Sequence, residues 1–152
     1  MIKKILVALD DGETCQIIFE QALELAQSTQ SKLNLISVLP LENHDIYNVS
    51  PYSDSDWQAY AKRYQRAQVA NLKLLKRFAN TAEAVGIDTR LTQDTGNPGS
   101  AICRQAKTWS ADLIIVGSHG RKGLSEMLLG SVSNYVMHHA PCSVMVIHEQ
   151  IS

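Results

Sequence analysis

The stretch 111–133, ADLIIVGSHGRKGLSEMLLGSVS, decides the fold because it leads from an apolar strand into a helix through a glycine-rich loop. Its first part, ADLIIVG, is a short apolar run typical of a strand that is buried on both faces. Four glycines then fall within fourteen residues, and a helix is predicted from Met127 to His139, ahead of Pro141. Glycines at this density indicate that something approaches the backbone closely.

The rest of the chain repeats this alternation of strand and helix, with a long loop predicted at 40–56. The other predicted strands are KKILVALD (3–10), KLNLISVL (32–39), IDTRLTQ (87–93) and CSVMVIHE (142–149), and the other predicted helices lie within 10–30, 57–85 and 97–110. This order predicts a single α/β domain over 1–152, doubly wound around a five-stranded parallel sheet with helices on both faces. Ligands of such sheets bind beyond the carboxyl ends of the strands, where the glycine-rich loop begins.

The composition argues against several classes of partner. Fourteen basic residues against fifteen acidic ones give no overall attraction to nucleic acid or to an anionic membrane. No apolar stretch reaches the roughly 18 residues of a membrane span, and the first ten residues do not resemble a signal peptide. Three cysteines without a C-x-x-C pair are expected to be reduced and largely buried. We therefore expect a cytoplasmic protein that binds neither membrane nor nucleic acid.

A basic stripe on the helix 57–85 is the feature that could oppose this expectation. Lys62, Arg66, Lys73 and Arg77 fall on the face opposite the apolar one when the residues are placed at about 100° intervals. Such a stripe could contact nucleic acid, but a solvated helix face is the interpretation favoured by the sequence.

The spacing of the glycines excludes the two best-known phosphate loops, since neither the Walker A pattern nor G-x-G-x-x-G is present. Gly117 closes a strand, so a ribose or phosphate could reach the backbone there. Gly130 and Ser131 are predicted within a helical stretch, where a glycine costs about 1 kcal/mol and needs a packing or ligand reason. Backbone N–H groups at a transition from loop to helix form an anion site, to which a serine hydroxyl adds a donor. A polyphosphate fits this pattern.

At these residues the chain resembles the universal stress protein family. The resemblance rests on the ATP-binding pattern G-x-x-G-(nine residues)-G-[ST], here GSHGRKGLSEMLLGSVS, and extends over nearly the whole chain through ILVALD, TGNPGSAICRQAKTWSADLIIVGSHG and APCSVMVI. It implies the strand order 3-2-1-4-5. It also implies a regulatory or sensing module of the stress response that binds ATP with Mg²⁺ and pairs as a homodimer through its last strand.

The resemblance further implies which residues contact ATP. Asp10 would lie near the adenine and ribose, the backbone of Val38 would contact the adenine edge, and Gly117 would lie under the ribose. The triphosphate would be held by the remaining residues, which are Gly120, Gly130, Ser131, Val132 and Ser133. The chain departs from the family pattern D-x-S after the first strand, because it has Asp10-Asp11-Gly12 and so lacks that serine donor.

Two alternatives remain open from the sequence. Asp10 could merely cap the first helix, as aspartate often does. The protein could also be a slow ATPase or a phosphoryl-transfer or nucleotidyl-transfer enzyme, or ATP could be only structural. Asp10, Asp11, His119, Arg121 and Lys122 could supply parts of a catalytic site, but no spacing joins them into a mechanism. No catalytic residue and no metal ligand is therefore assigned.

Overall fold

Five β-strands alternate with four α-helices in the residues that the computed structural model describes, which are 1–10, 12–40, 54–118 and 130–148. The strands are β1 (Lys4–Ala8), β2 (Lys32–Leu39), β3 (Thr89–Thr95), β4 (Leu113–Gly117) and β5 (Ser143–Ile147). The helices are α1 (Cys15–Thr29), α2 (Asp54–Ala84), α3 (Pro98–Trp109) and α4 (Ser131–His139). The predicted alternation of strands and helices is confirmed.

All five strands run parallel in the order β3-β2-β1-β4-β5. The doubly wound fold and the order 3-2-1-4-5 are therefore both confirmed. The central strand β1 shows why helices cover both faces. Ile5 and Val7 pack toward α1 and α2, whereas Leu6 between them packs toward α3 and α4, and all three side chains are fully buried. Because successive side chains of a strand point to opposite faces, an unbroken apolar run requires a helix layer on each side.

Several predicted element boundaries differ from the structure by a few residues. Helix α2 begins at Asp54 instead of Trp57, since the sequence DSD supplies residues that favour a helix N-terminus. Strand β3 begins two residues later than predicted, because Ile87 still follows the helix end, donating its N–H to Ala82. Helix α4 begins at Ser131, and the predicted start at Met127 lies outside the described residues.

A carboxylate joins the amino ends of β1 and β4. Oδ2 of Asp112 accepts the backbone N–H groups of Lys3 and Lys4 at 2.8 and 2.9 Å, while the N–H of Asp112 donates to the Lys4 carbonyl. These two backbone donors stabilise the charged form and hold the pKa of Asp112 below its ordinary value. A carboxyl whose folded pKa is lowered stabilises the fold above its unfolded pKa, and this stabilisation is lost as the pH falls through the folded pKa.

Replacing Asp112 by alanine should therefore destabilise the protein in a pH-dependent way. At pH 7 we expect the free energy of unfolding to fall by about 1 kcal/mol, a small figure because the carboxylate is exposed to solvent. The difference from wild type should shrink as the pH falls below the ordinary value of 3.8. Urea denaturation at a series of pH values from 7 downward measures this difference in the free energy of unfolding. Asp88→Ala, which removes only an exposed ion pair with Lys32, is the control and should have almost no effect. A deficit for Asp112→Ala that does not change with pH would contradict the proposed role.

Candidate functional site

A cavity of about 360 Å³ opens at the carboxyl ends of β1, β2 and β4. It forms because β1 is followed by a helix on one face of the sheet, while β4, its neighbour, is followed in sequence by a helix on the other face. The two connections diverge and leave a space between them, as at the switch point of other open parallel sheets. The volume is within the range of small-molecule sites.

One end of the cavity is formed by the first turn of α4. Gly130 is the N-cap of this helix, with the extended backbone angles φ −65° and ψ 162°. The first intrahelical hydrogen bond runs from Asn134 N–H to the Gly130 carbonyl at 3.0 Å. The N–H groups of Ser131, Val132 and Ser133 precede it and have no intrahelical partner, and all three residues line the cavity. Unpaired N–H groups at a helix N-terminus are suited to bind an anion.

The position of Gly130 corrects its predicted role. The sequence places it inside a helix, where a glycine is costly, but the structure places it at the cap. Since the N-cap position tolerates glycine well, the helix penalty of about 1 kcal/mol does not apply. The glycine instead leaves the helix N-terminus uncovered, because no side chain at the cap occupies the N–H groups.

A group of short hydrogen bonds fixes this turn against the end of β4. The carbonyl of Ser118 accepts the N–H of Gly130 at 2.6 Å and the hydroxyl of Ser133 at 3.3 Å. The same hydroxyl contacts the Gly130 carbonyl at 3.0 Å, and Ser133 is 1% exposed. A hydroxyl has only one proton to donate, so the Ser133 side chain positions the turn and does not offer a hydrogen to a ligand.

The backbone of Val38 faces the cavity from the opposite side. The last link between β1 and β2 is the hydrogen bond from Leu9 N–H to the Ile36 carbonyl, at 2.9 Å. Backbone groups of a strand alternate in direction, so Val38 points to the same side as Ile36, where β1 has already ended. Within the described residues its N–H and C=O therefore have no partner from β1 and can pair with the polar edge of a planar ligand.

Apolar side chains form the walls between these two polar ends. Ile36 and Val116 cover the sheet side, and Pro98 and Ile102 of α3 cover the outer side. Ala8 lies at the base, where its small side chain leaves space. The cavity therefore combines a hydrophobic slot for a flat group with an anion site at one end.

Asp10 lies at the mouth of the cavity and is held by a tight local turn. Its Oδ1 accepts the N–H of Gly12 at 2.7 Å, and a Cβ added at Gly12 would lie 2.8 Å from the same oxygen. The N-cap of α1 is Thr14, without a side-chain capping bond. The alternative that Asp10 caps this helix is therefore wrong. In the D-x-S pattern that Asp10 begins, position 12 would be a serine. Glycine at this position leaves room for Oδ1 of Asp10, which a Cβ would displace.

The structure brings seven of the eight residues assigned from the sequence into this one cavity. Gly120 is the exception and lies outside the described residues, as do Asp11, His119, Arg121 and Lys122. The seven are Asp10, Val38, Gly117, Gly130, Ser131, Val132 and Ser133. The sequence does not predict the role of Ser118, because this residue contributes a backbone carbonyl. It does not predict the wall residues Pro98 and Ile102 either, for which the only signal is their i, i+4 spacing on one helix face.

Reactive side chains are scarce in the described part of the site. The described residues hold no group of three potential metal ligands. Burial raises the pKa of the thiols of Cys103 and Cys142, and for Cys142 the charges of Asp112 and Cys103 add to this effect. A raised pKa disfavours the nucleophilic thiolate, and none of the three cysteines forms a disulfide.

Comparison with known proteins agrees with this geometry. The family model described as "Universal stress protein family" matches residues 1–148. The chain belongs to the universal stress protein family. It is also similar to the universal stress protein Sll1388 of Synechocystis, with 33% identity over 150 residues that cover 95% of this chain and 96% of the relative.

Solved structures of other proteins share the fold. The structure of the protein MJ0577 superposes with a TM-score of 0.80 at 26% identity, covering all of this chain and 99% of that one. A family protein from Arabidopsis thaliana solved with AMP bound has a TM-score of 0.69 at 25% identity, covering 97% and 92% of the two chains. Among the described residues, no helix is long and apolar enough to traverse a membrane.

Close packing of α3 against α4 holds the walls of the cavity in this universal stress protein. A Cβ placed on Gly99 would lie 2.7 Å from Cδ1 of the Tyr135 ring. Gly99 is buried next to Pro98, and Tyr135 belongs to the same short helix as Ser131 and Ser133. The absence of a side chain at position 99 therefore sets the distance between the apolar wall and the anion site.

Gly99→Ala should separate these two helices and disturb the site. Inserting a methyl group into a well-packed contact costs about 1–3 kcal/mol, so the free energy of unfolding should fall by that amount. Denaturant unfolding measures this cost, and Lys107→Ala, on an exposed part of the same helix, is the control. A variant as stable as wild type would show that the contact is not tight.

Proposed function

We propose that this cavity binds ATP together with Mg²⁺, and that the protein acts as a nucleotide-dependent regulatory module in the stress response. The observation that carries the proposal is the first turn of α4, where three backbone N–H groups face a cavity with apolar walls. An anion at a helix N-terminus is stabilised by the macrodipole as well as by the N–H groups. The AMP-bound relative supports a nucleotide as the class of ligand.

Each residue of the cavity has a role in this proposal. The adenine would lie between Ile36 and Ile102, with its polar edge on the backbone of Val38. Gly117, which ends β4 and has no side chain, would allow the ribose to approach the backbone. Phosphate oxygens would accept the N–H groups of the first turn of α4, with Gly130 and Gly120 leaving the backbone accessible. The hydroxyl of Ser131, whose residue is exposed, is free to add a donor.

The residues also fit a magnesium ion that arrives with the nucleotide. Mg²⁺ bound with phosphates usually takes only one or two carboxylates from the protein and keeps several waters. Asp10 is the carboxylate that lines the described part of the cavity, and one of its oxygens has no bond to Gly12. The bound ion would neutralise phosphate charge, while the protein would contribute position and hydrogen bonds.

A change at the helix cap tests the anion site directly. Aspartate is a good N-cap residue, so Gly130→Asp should keep α4 folded while its carboxylate accepts the same N–H groups that the phosphates need. We expect wild type to bind ATP with millimolar to micromolar affinity, and this variant to lose at least about 100-fold through competition and charge repulsion. Isothermal titration calorimetry with ATP and Mg²⁺ measures both.

The matched control is Gly130→Ala, which adds a Cβ but no acceptor and no charge. It should lose much less affinity than the aspartate variant. Equal ATP affinity of wild type and Gly130→Asp would show that the phosphates do not lie at this turn.

The competing proposal, slow ATP hydrolysis, lacks support in the described residues. Ordinary enzymes turn over at roughly 1–1000 per second through contacts that are made only in the transition state. The contacts that we propose for the phosphates are backbone N–H groups, which would bind the ground state as well as the transition state. We therefore predict turnover far below about one per second, measured by phosphate release under saturating ATP. Faster release that is lost in Asp10→Ala, but not in Lys107→Ala, would establish the enzyme instead.

We further propose that this 152-residue chain is one nucleotide-binding domain that forms a homodimer through β5 in the cytoplasm. In the part of the chain that the structure describes, strand β5 is an edge of the sheet with one side unpaired, and such edges invite pairing. The Ile147 carbonyl accepts Ser118 N–H from the β4 side, so by alternation the N–H of Val146 points to the free side. Reduced cysteines are consistent with the cytoplasm.

Val146→Pro should therefore convert the dimer to a monomer without breaking the pairing of β5 with β4. Proline removes the one N–H that points outward from this residue. Light scattering gives the mass of each species, and Val146→Thr, which keeps the N–H and the branched shape, should stay dimeric. If the proline variant remains dimeric, the interface lies elsewhere.

A further inference from the structure

The exposed face of α2 carries a concentration of positive charge that the cavity does not explain. Between Trp57 and Ala82 the helix has six basic residues and no acidic residue. The rest of the chain has eight basic and fifteen acidic residues, three of the acidic ones at the two ends of α2, so positive charge is concentrated on the middle of one helix. The six, which we call the basic face, are all exposed: Lys62, Arg63, Arg66, Lys73, Lys76 and Arg77.

The basic face is continuous in both length and angle. At a rise of 1.5 Å per residue it extends for about 22 Å, and at 100° per residue it occupies an arc of about 140°. Lys73, Lys76 and Arg77 border a surface groove of about 500 Å³. The sequence alone favours a solvated face for four of these six cations, namely Lys62, Arg66, Lys73 and Arg77. The structure adds Arg63 and Lys76 as exposed neighbours on the same helix.

This arrangement opposes the stability of the helix, which is why mere solvation does not account for it. Lys62 and Arg66, like Lys73 and Arg77, are like charges at i, i+4, a spacing that destabilises a helix. Stabilising surface helices instead place acidic residues at that spacing. Among the described residues, no ion pair joins a carboxylate to Lys62, Arg66, Lys73, Lys76 or Arg77. A repulsive surface of this kind is relieved when a polyanion binds.

The amino-terminal half of α2 projects beyond the sheet. Asn71 and Gln68 contact the side chains of Ser37 and Gln93, near the carboxyl ends of β2 and β3. No described residue from 57 to 70 is buried, whereas burial begins at Asn71 and continues with Leu75 and Phe78. Three of the six cations therefore lie on a protruding helix that is about 10–12 Å wide.

The side chains around the cations indicate which polyanion fits. Protein interfaces and membranes both require apolar anchors, and Val69 is the exposed large apolar residue in this arc. The aromatic side chains on which the bases of a single strand would stack, Trp57, Tyr60 and Tyr64, lie on the opposite side of the helix. The major groove of B-form DNA admits an α-helix, whereas that of A-form RNA is too narrow.

We propose that the basic face of α2 binds double-stranded DNA through its phosphate backbone, without sequence preference. The protruding half of the helix enters the major groove, and Lys73, Lys76 and Arg77 contact phosphates beside it. Such binding releases counterions. The logarithm of the association constant therefore falls linearly with the logarithm of the salt concentration, with a slope of about −0.9 per phosphate contact.

Salt-dependent binding to a labelled duplex of about 20 base pairs tests the proposal by fluorescence anisotropy, between about 50 and about 200 mM NaCl. With all six contacts the wild-type slope should be about −5. The variant carrying Lys62→Gln, Arg66→Gln, Lys73→Gln and Arg77→Gln should have a slope of about −2 and bind at least about 100-fold more weakly at the low salt concentration.

The matched control carries Lys3→Gln, Lys32→Gln, Arg90→Gln and Lys107→Gln, exposed cations outside α2, and has the same net charge. It should bind DNA with the wild-type slope. Both variants should keep the wild-type affinity for ATP and the wild-type melting temperature or a higher one, which shows that folding and the cavity are intact whatever happens to DNA binding.

Several outcomes would overturn the proposal. One is that the wild type does not bind DNA at low salt. Another is that both variants lose the same amount of affinity for DNA. A third is that the wild type binds double-stranded RNA of the same sequence as strongly as it binds DNA. Stronger binding to phosphatidylserine vesicles or to polyglutamate would assign the basic face to a membrane or to an acidic protein instead.

Discussion

The site depends on how the carbonyl of Ser118 holds the first turn of α4. This carbonyl accepts both the N–H of Gly130 and the hydroxyl of Ser133, so the start of the helix is fixed to the end of β4. Without these contacts, the N–H groups of Ser131 to Ser133 would not face the space between β1 and β4. The proposed anion site is thus a consequence of sheet topology: the strand fixes the turn, and the turn orients the helix dipole toward the cavity.

The same topology explains why the cavity is apolar in its middle and polar at its ends. Strand β1 stops at Ala8 while β2 continues to Leu39, which exposes the backbone of Val38 at one end. The side chains at this end of the sheet, such as Ile36 and Val116, belong to the same apolar layer that forms the core under α3 and α4. A flat apolar group with a polar edge and an attached anion complements this arrangement, and adenine nucleotides have that form.

The fold could be predicted from the sequence because its signals are local and agree with one another. Apolar runs such as Leu113–Gly117 predict strands, and glycine and proline indicate where the strands and helices end. The candidate site could be predicted only in part. A pattern of glycines and serines draws attention to this turn, but it does not predict that the Ser133 hydroxyl is engaged inside the fold, and it assigns Gly130 a helical position. The buried hydroxyl and the extended cap angles arise from contacts between distant segments, such as Ser118 with Ser133, which no local pattern encodes.

The most direct test of this account is the amide spectrum of the ¹⁵N-labelled protein during titrations with ATP and with adenosine. If the first turn of α4 holds phosphate, ATP should shift the amide signals of Ser131, Val132 and Ser133 strongly downfield, and adenosine should leave them nearly unchanged. Both ligands should shift Val38, since both carry the base. Shifts of Val38 alone, or equal shifts of the α4 amides with both ligands, would contradict the claim that these N–H groups bind the phosphates.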